Sequence, residues 1–525
     1  MSSAAKNARN LVANWSAHLA NLVIMFFLSP FVVHQLGPVA YGTWSLLTVV
    51  TGYMGIMDLG IRASTGRHVI LYLGKNEPEK VDHTIRTSLG FFTLLGGIIL
   101  VIGLGLGQLF PMIFSSVPPE SHGLVALLLP VLAMNVWLTA IGTVFSSVVI
   151  AHERFDIGRG IDVLVLAVRA GGTIIALSGG HGLAGLTVAV VGANLVSLVL
   201  NYAAARRIYP ALKAWPLMLS PQRVRELIGY GTAAFVSAIS AKIIGQTDLL
   251  LVEWTIDVKH VTIYSVGAMI VYYSGAFLAH ISATFFPSLQ RAAARGETGA
   301  VKWNYLRQVR LGMLFGIAVY VGFLVFSEPF IRLWMYRPSD PDKFPLWAVG
   351  QAATVMMILA GAKLLVLPAV GANGLLAAVG RVKTTAVITV IEAITNLAFS
   401  LGFALGLGWG LAGVAAGTLF ARLLVRTFTL PALACQAAGM RSTTFTLRVG
   451  SPSLIAGGLF AGVCYGLRWL VPMTSWAAFA GAVGAALAAY APVALFVLVP
   501  AEDRRRLLRK VSSWAGREGS RPGQP

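Results

Sequence analysis

The sequence predicts an all-α polytopic membrane protein of about fourteen transmembrane helices. Composition is the first reason: 57% of the 525 residues are hydrophobic and 11% are charged, whereas soluble domains carry about 25% charged residues. Mean hydropathy is +0.76. The second reason is length. Apolar runs recur at close to the roughly 20 residues that cross a bilayer as a helix, too long for the roughly 10-residue strands of a barrel. The third is charge placement. Most of the bases behind the formal net charge of +20 sit in short connections between apolar runs, so membrane topology accounts for most of it rather than a nucleic-acid partner.

The candidate spans lie near 10–33, 39–61, 85–107, 123–150, 161–178, 183–205, 228–252, 261–286, 309–327, 346–370, 384–405, 410–434, 450–471 and 475–500. Lys6 and Arg9 precede the first, which is too long and too polar for a cleaved signal peptide. Asn14, His18 and Asn21 continue a stripe from Asn7 and Asn10 along one face of that span. Gly37–Pro38 marks a turn before span two. Span two is broken by one charge, Asp58, with Arg62 at i+4 as its nearest partner. That pair either locks a helix end or serves gating and coupling, and both readings stand. Span four carries Asn135, Thr139 and Thr143, and span six carries Asn194, Ser197 and Asn201, as expected of hydrogen-bonding glue between helices. Thr385, Thr389, Glu392, Asn396 and Ser400 stripe span eleven. For that stripe and the first, a water-lined cavity is the expectation.

Charges inside spans are expensive in lipid and are expected to face the interior. Asp162 and Arg169, seven apart, share a face of span five and could pair. Lys242 and Asp248 lie in span seven, Lys363 in span ten, and Arg422 and Arg426 one turn apart in span twelve. Neither Lys242 nor Lys363 has a carboxylate at i±3 or i±4. Glu392 could reach either lysine across helices; otherwise an unpaired cation in an interior cavity suits an anionic ligand. Substrate contact is therefore expected at Lys242, Lys363, Arg169, Arg422, Asn14, His18 and Asn21. Coupling or gating is expected at Asp58, Arg62, Glu392, Asp248 and Asp162.

Basic residues in alternate connections put both termini on the cytoplasmic side. Gly182-Leu183-Ala184-Gly185 opens span six, and the same four residue types recur at Gly410-Leu411-Ala412-Gly413, 228 residues on (410 − 182), at span twelve. Trp44-Ser45 has a weaker echo in Tyr264-Ser265. The expected organisation is a six-helix lobe at 1–210, an amphipathic linker at 211–227 and a second six-helix lobe at 228–436, related by an axis along the membrane normal. Two extra helices at 437–500 and a basic tail at 501–525 follow. Cys435 and Cys464, the two cysteines, give no disulfide framework. Gly408-x-Gly410-x-x-Gly413 lacks a surrounding βαβ unit and reads as a turn with close helix packing. His18 and His280 have no clustered metal partners, and no nucleophile–base constellation is present, so neither metal, cofactor nor catalysis is expected.

Leu36-Gly37, Tyr41-Gly42 and Asp58-Leu59-Gly60, with Glu153-Arg154-Phe155-Asp156 and the Asp248 and Tyr264 regions, resemble the Wzx-type O-antigen and polysaccharide flippases. These are grouped with the MATE exporters and the lipid II flippase MurJ. The resemblance implies a two-lobed flippase of a bacterial inner membrane. It would move undecaprenyl-pyrophosphate-linked oligosaccharide outward by alternating access through a cationic cavity, working beside polysaccharide polymerase or export machinery. Lys242, Lys363, Arg169 and Arg422 fit such a cavity by location. The rivals are a cation-coupled multidrug antiporter and a lipid II flippase, and more remotely a membrane glycosyltransferase or polymerase. Asn14, His18 and Asn21 stand where many MATE exporters carry an acid, and span one lacks the membrane arginine of MurJ-like proteins.

Overall fold

The computed structural model describes the backbone of residues 3–58, 60–499 and 504–505, and the side chains of 20–58, 60–227, 235–499 and 504–505. Among these residues the chain is helical, with no strand. The principal helices are α1 (Ser3–Met54), α2 (Ile61–Gly74), α3 (Pro78–Ile113), α4 (His122–Ala151), α5 (Phe155–Ser178) and α6 (Gly182–Ile208). They continue as α7 (Pro221–Thr255), α8 (Val258–Ala283), α9 (Phe286–Ala294), α10 (Thr298–Met335), α11 (Leu346–Leu365) and the short α12 (Ala372–Ala378). The last are α13 (Val382–Leu401), α14 (Gly410–Ala421), α15 (Thr429–Ala437), α16 (Ser442–Phe445), α17 (Ser451–Leu470) and α18 (Trp476–Val497).

Thirteen described stretches are long and apolar enough to cross a membrane. Each falls on an expected span, and the first, Ala20–Asp58, takes in two. The helix α1 is broken at Gly37, at φ 76° and ψ 170°, just before Pro38. Glycine adopts that left-handed φ without a Cβ clash. Counted on either side of the break, the described stretches number fourteen. Arg62 and Arg67, which follow span two, belong to the helix α2.

The GLAG repeat has matching backbone geometry at its two sites. Gly182 and Gly410 open their helices at φ 50° and 53°, and Gly180 and Gly408, two residues earlier, stand at 77° and 67°. A Cβ on Gly185 would lie 2.9 Å from the Ala176 Cβ, and one on Gly413 would lie 2.8 Å from the Phe403 carbonyl oxygen. The repeated motif is therefore longer, Gly-x-Gly-Leu-Ala-Gly, and builds the same tight helix entry twice.

Packing groups the chain into two compact units. One comprises Met1–Val266 with Arg337–Ala348 and Ser400–Val414; the other comprises Gly267–Tyr336, Val349–Phe399 and Ala415–Pro525. This partition changes unit inside α8, whereas the lobes expected from topology meet at the 211–227 linker. In the first unit, Ile61, Val69, Ile85, Phe92, Val144 and Val148 form a core among α2, α3 and α4. Gly42 lets α1 touch the start of α8, because a Cβ there would lie 2.1 Å from the Val258 carbonyl oxygen. In the second unit, α17 packs against α10 and α18. Arg468 of α17 donates from Nη2 to Glu328 at 2.7 Å, and the Tyr490 hydroxyl of α18 donates to the Leu314 carbonyl at 3.0 Å.

Candidate functional site

Each unit contains a cavity with a lysine on its wall. In the second unit a cavity of about 610 Å³ is lined by α8, α10, α11 and the segment leading into α15, with Gln308, Tyr320, Lys363 and Arg426 among its polar residues. That volume lies within the ordinary range for small-molecule pockets. Among the described residues no carboxylate lines it. Lys363, near the end of α11, is half-buried. Its Nζ stands 5.9 Å from the centroid of the Tyr272 ring, at the limit of a cation–π contact. Gly275 makes room for it, since a Cβ there would lie 3.0 Å from that Nζ. Among the described residues the ammonium has neither an ion-pair partner nor a hydrogen-bond acceptor.

Glu392 pairs with arginine, not with a lysine. Its side chain is fully buried, with Oε2 2.9 Å from Arg426 Nη1 and Oε1 3.6 Å from Arg422 Nε. A single π-helical turn, Arg422–Arg426, presents both guanidiniums to the one carboxylate. Arg422, expected to meet substrate, is buried against Glu392, and it is Arg426 that reaches the cavity wall. The stripe expected to line water on span eleven is instead buried against neighbouring helices. Thr389, Glu392, Asn396 and Ser400 are all buried, and Asn396 Nδ2 donates to Thr418 Oγ1 at 2.9 Å.

The first unit's cavity, about 560 Å³, is lined by α1, α2, α4 and α7, with Asp58, Arg62, Asn135, Lys242 and Gln246 on its walls. Half-buried Lys242 lies against Gly52, where a Cβ would be 3.1 Å from Nζ. No hydrogen bond or ion pair joins its ammonium to another described residue. Asp58 closes the end of its helix as the i+4 spacing predicts. Its Oδ2 lies 3.0 Å from Arg62 Nε, and its Oδ1 accepts from the Gly60 N–H at 3.0 Å. Gly60 takes φ 75°, so the chain turns there and re-enters helix as α2. Asp58, the acid on this wall among the described residues, is thus already engaged by an arginine and a backbone amide.

The remaining expected site residues separate by role. Arg169 does not pair with Asp162. Asp162 is exposed and bonds Arg159 at 2.8 Å, one turn away instead of two. Arg169 Nη2 donates to Asn194 Oδ1 at 3.3 Å, and Asn194 Nδ2 donates to Asn135 Oδ1 at 2.8 Å on the cavity wall. Buried Asp248 accepts from the Tyr264 hydroxyl at 2.6 Å, joining α7 to α8. Asn21 is half-buried and lines neither cavity. Asn14 and His18 lie outside the residues whose side chains are described. Sequence reading put Asn135 and Asn194 among glue residues and passed over Gln246 and Tyr320. The polar stripes were the signal for the asparagines; Tyr320 and Gln246 had none.

Many apolar helices around cation-bearing interior cavities define a multi-pass membrane protein of the transporter class. The chain belongs to the polysaccharide biosynthesis protein family, whose profile matches residues 35–336. It is 22% identical to a putative O-antigen transporter of Shigella flexneri over 60% of this chain and 73% of that one. It is 21% identical to the uncharacterized membrane protein EpsK of Bacillus subtilis (strain 168), over 95% of this chain and 97% of that one. Among solved structures, the lipid II flippase MurJ in an inward closed conformation matches with a TM-score of 0.69 at 12% identity, covering 93% of this chain and 98% of MurJ. An inward-facing MATE family multidrug resistance transporter of the MOP superfamily matches at 0.66 and 15% identity, covering 82% and 99%. At such identities the two structures establish a shared fold and no more.

Proposed function

We propose that this protein is a flippase that carries an undecaprenyl-pyrophosphate-linked oligosaccharide from the cytoplasmic to the outer leaflet of a bacterial inner membrane. It has both termini in the cytoplasm and performs no covalent chemistry. Family membership and the O-antigen transporter relative support the substrate class. The observation that carries the reading is Lys363. It is a cation on the wall of a cavity lined by no acid among the described residues, and the nearby buried carboxylate, Glu392, is already held by two arginines. Such a cation suits a pyrophosphate, since charge-assisted bonds to phosphate strengthen where water is excluded. Lys242 lines the first unit's cavity, beside an Asp58 paired with Arg62. A cationic drug would need an unmatched carboxylate, and neither wall offers one among the described residues, which disfavours the multidrug reading. The lobes then alternate access while the lipid tail stays in the bilayer.

The test is transport in cells whose own flippase is deleted, with the amount of folded protein measured alongside. Lys242→Ala and Lys363→Ala should each cripple polysaccharide export at near-normal protein level. Lys→Arg changes should be milder, because the charge persists. Full transport with both lysines replaced refutes the reading.

A further inference from the structure

The chain from Arg169 through Asn194 to Asn135 has a direction. A guanidinium can only donate hydrogen bonds. Arg169 Nη2 therefore requires the oxygen of Asn194 to face it, which it does at 3.3 Å. With its oxygen so committed, Asn194 turns its Nδ2 to Asn135, whose Oδ1 accepts at 2.8 Å. Asn135 is left with its own Nδ2 as the group not used by the chain. Asn135 lines the cavity that also holds Lys242 and Arg62, and no described residue accepts from its Nδ2. Amide orientation is otherwise free to flip, because oxygen and nitrogen occupy nearly the same space. Here a fixed cation two residues away decides it.

We propose that Arg169 is a positioning residue that sets the polarity of Asn135, so that the cavity wall presents an N–H donor to a phosphate oxygen of the substrate. Resting on the flippase reading, this assigns Arg169 a role at second hand in place of direct substrate contact. It makes Asn135 the ligand. Phosphate is the acceptor because Lys242 and Arg62 line the same cavity, Asp58 on that wall is already bonded to Arg62 and the Gly60 N–H, and an amide donor beside the cations adds a further contact for an anion.

The relay is tested by variants at each of its three residues, none of which replaces a cation of the cavity wall. The full chain, purified in detergent and monodisperse, is titrated with geranylgeranyl pyrophosphate. Asn135→Leu removes the donor and should weaken binding about ten- to hundredfold, the span of one hydrogen bond to a charged group. Asn194→Asp can accept from Arg169 but cannot donate, so Asn135 should rotate and offer its oxygen to the cavity; binding should fall as far as in Asn135→Leu. Asn194→Leu only frees Asn135 and should cost several-fold less. Arg169→Lys keeps a donor-only cation and should bind within about threefold of wild type. A purely structural role would lower folded yield without ordering the affinities this way. A direct electrostatic role for Arg169 would leave Asn194→Leu at wild-type affinity. Either result overturns the proposal, as does wild-type binding by Asn194→Asp or Asn135→Leu. Wild-type protein that fails to bind the prenyl pyrophosphate at all removes the flippase reading and this inference with it; binding that survives every variant removes the inference alone.

Discussion

Replacing Lys363 by Met separates a ligand-binding lysine from a structural one. Met keeps the aliphatic stem against Gly275 and Tyr272 and removes only the charge. Among the described residues the ammonium has no acid to leave behind, because Glu392 lies 2.9 Å from Arg426 and 3.6 Å from Arg422. Folded yield and melting temperature should therefore stay at wild-type values or rise, as an isolated interior cation is itself unfavourable. Substrate loses one hydrogen bond to a charged group, about 1.5–3 kcal/mol, or roughly ten- to a hundredfold in affinity. Glu392→Gln is the opposite case. It leaves two guanidiniums side by side in a dry site, and breaking a buried ion pair costs about 3–5 kcal/mol. That variant should lose folded protein before any transport defect can be read. The assay is thermal melting followed by size-exclusion chromatography, with prenyl pyrophosphate binding on the same preparations and export in deletion cells. If Lys363→Met loses folded protein as Glu392→Gln does, the lysine is structural. If it folds, binds and exports normally, the cationic-cavity account is wrong.

Three further outcomes follow from packing and charge. Gly42→Ala places a Cβ 2.1 Å from the Val258 carbonyl oxygen, so the start of α8 must move; a loss of about 1–3 kcal/mol is expected, and an unchanged melting temperature would show that the contact yields freely. Asp58→Asn keeps an oxygen for the Gly60 N–H but gives up a partly exposed ion pair. Stability should fall by no more than about 1 kcal/mol and export should survive, whereas well-folded, inactive Asp58→Asn would make Asp58 a coupling group. Membrane-impermeant labelling of single cysteines at Pro119, Ser339 and Pro472 should report the outer side, and at Lys75 and Gly296 the cytoplasmic side. An inversion at Pro119 or Lys75 would overturn the orientation drawn from the basic connections.

The features that the sequence alone determined are those governed by local chemistry. Hydropathy located the thirteen described stretches long and apolar enough to cross a membrane, since burying backbone in lipid forces helices wherever roughly 20 apolar residues run together. Gly37–Pro38 located the break in the first helical stretch, and i+4 spacing located the Asp58–Arg62 pair, because a turn and one helical face each need only a few adjacent residues. The tertiary structure alone decided which partner each interior charge takes. Glu392 had two lysines and two arginines to choose from, and it took both arginines. Asp162 turned to Arg159, leaving Arg169 to Asn194, and Asp248 found Tyr264. Those choices depend on the rotation and depth of each helix against its neighbours, to within an ångström or two. Hydropathy is nearly indifferent to either, so a sequence fixes that a buried charge must be matched but leaves open by which residue, and the cations left unmatched are known only once the helices are packed.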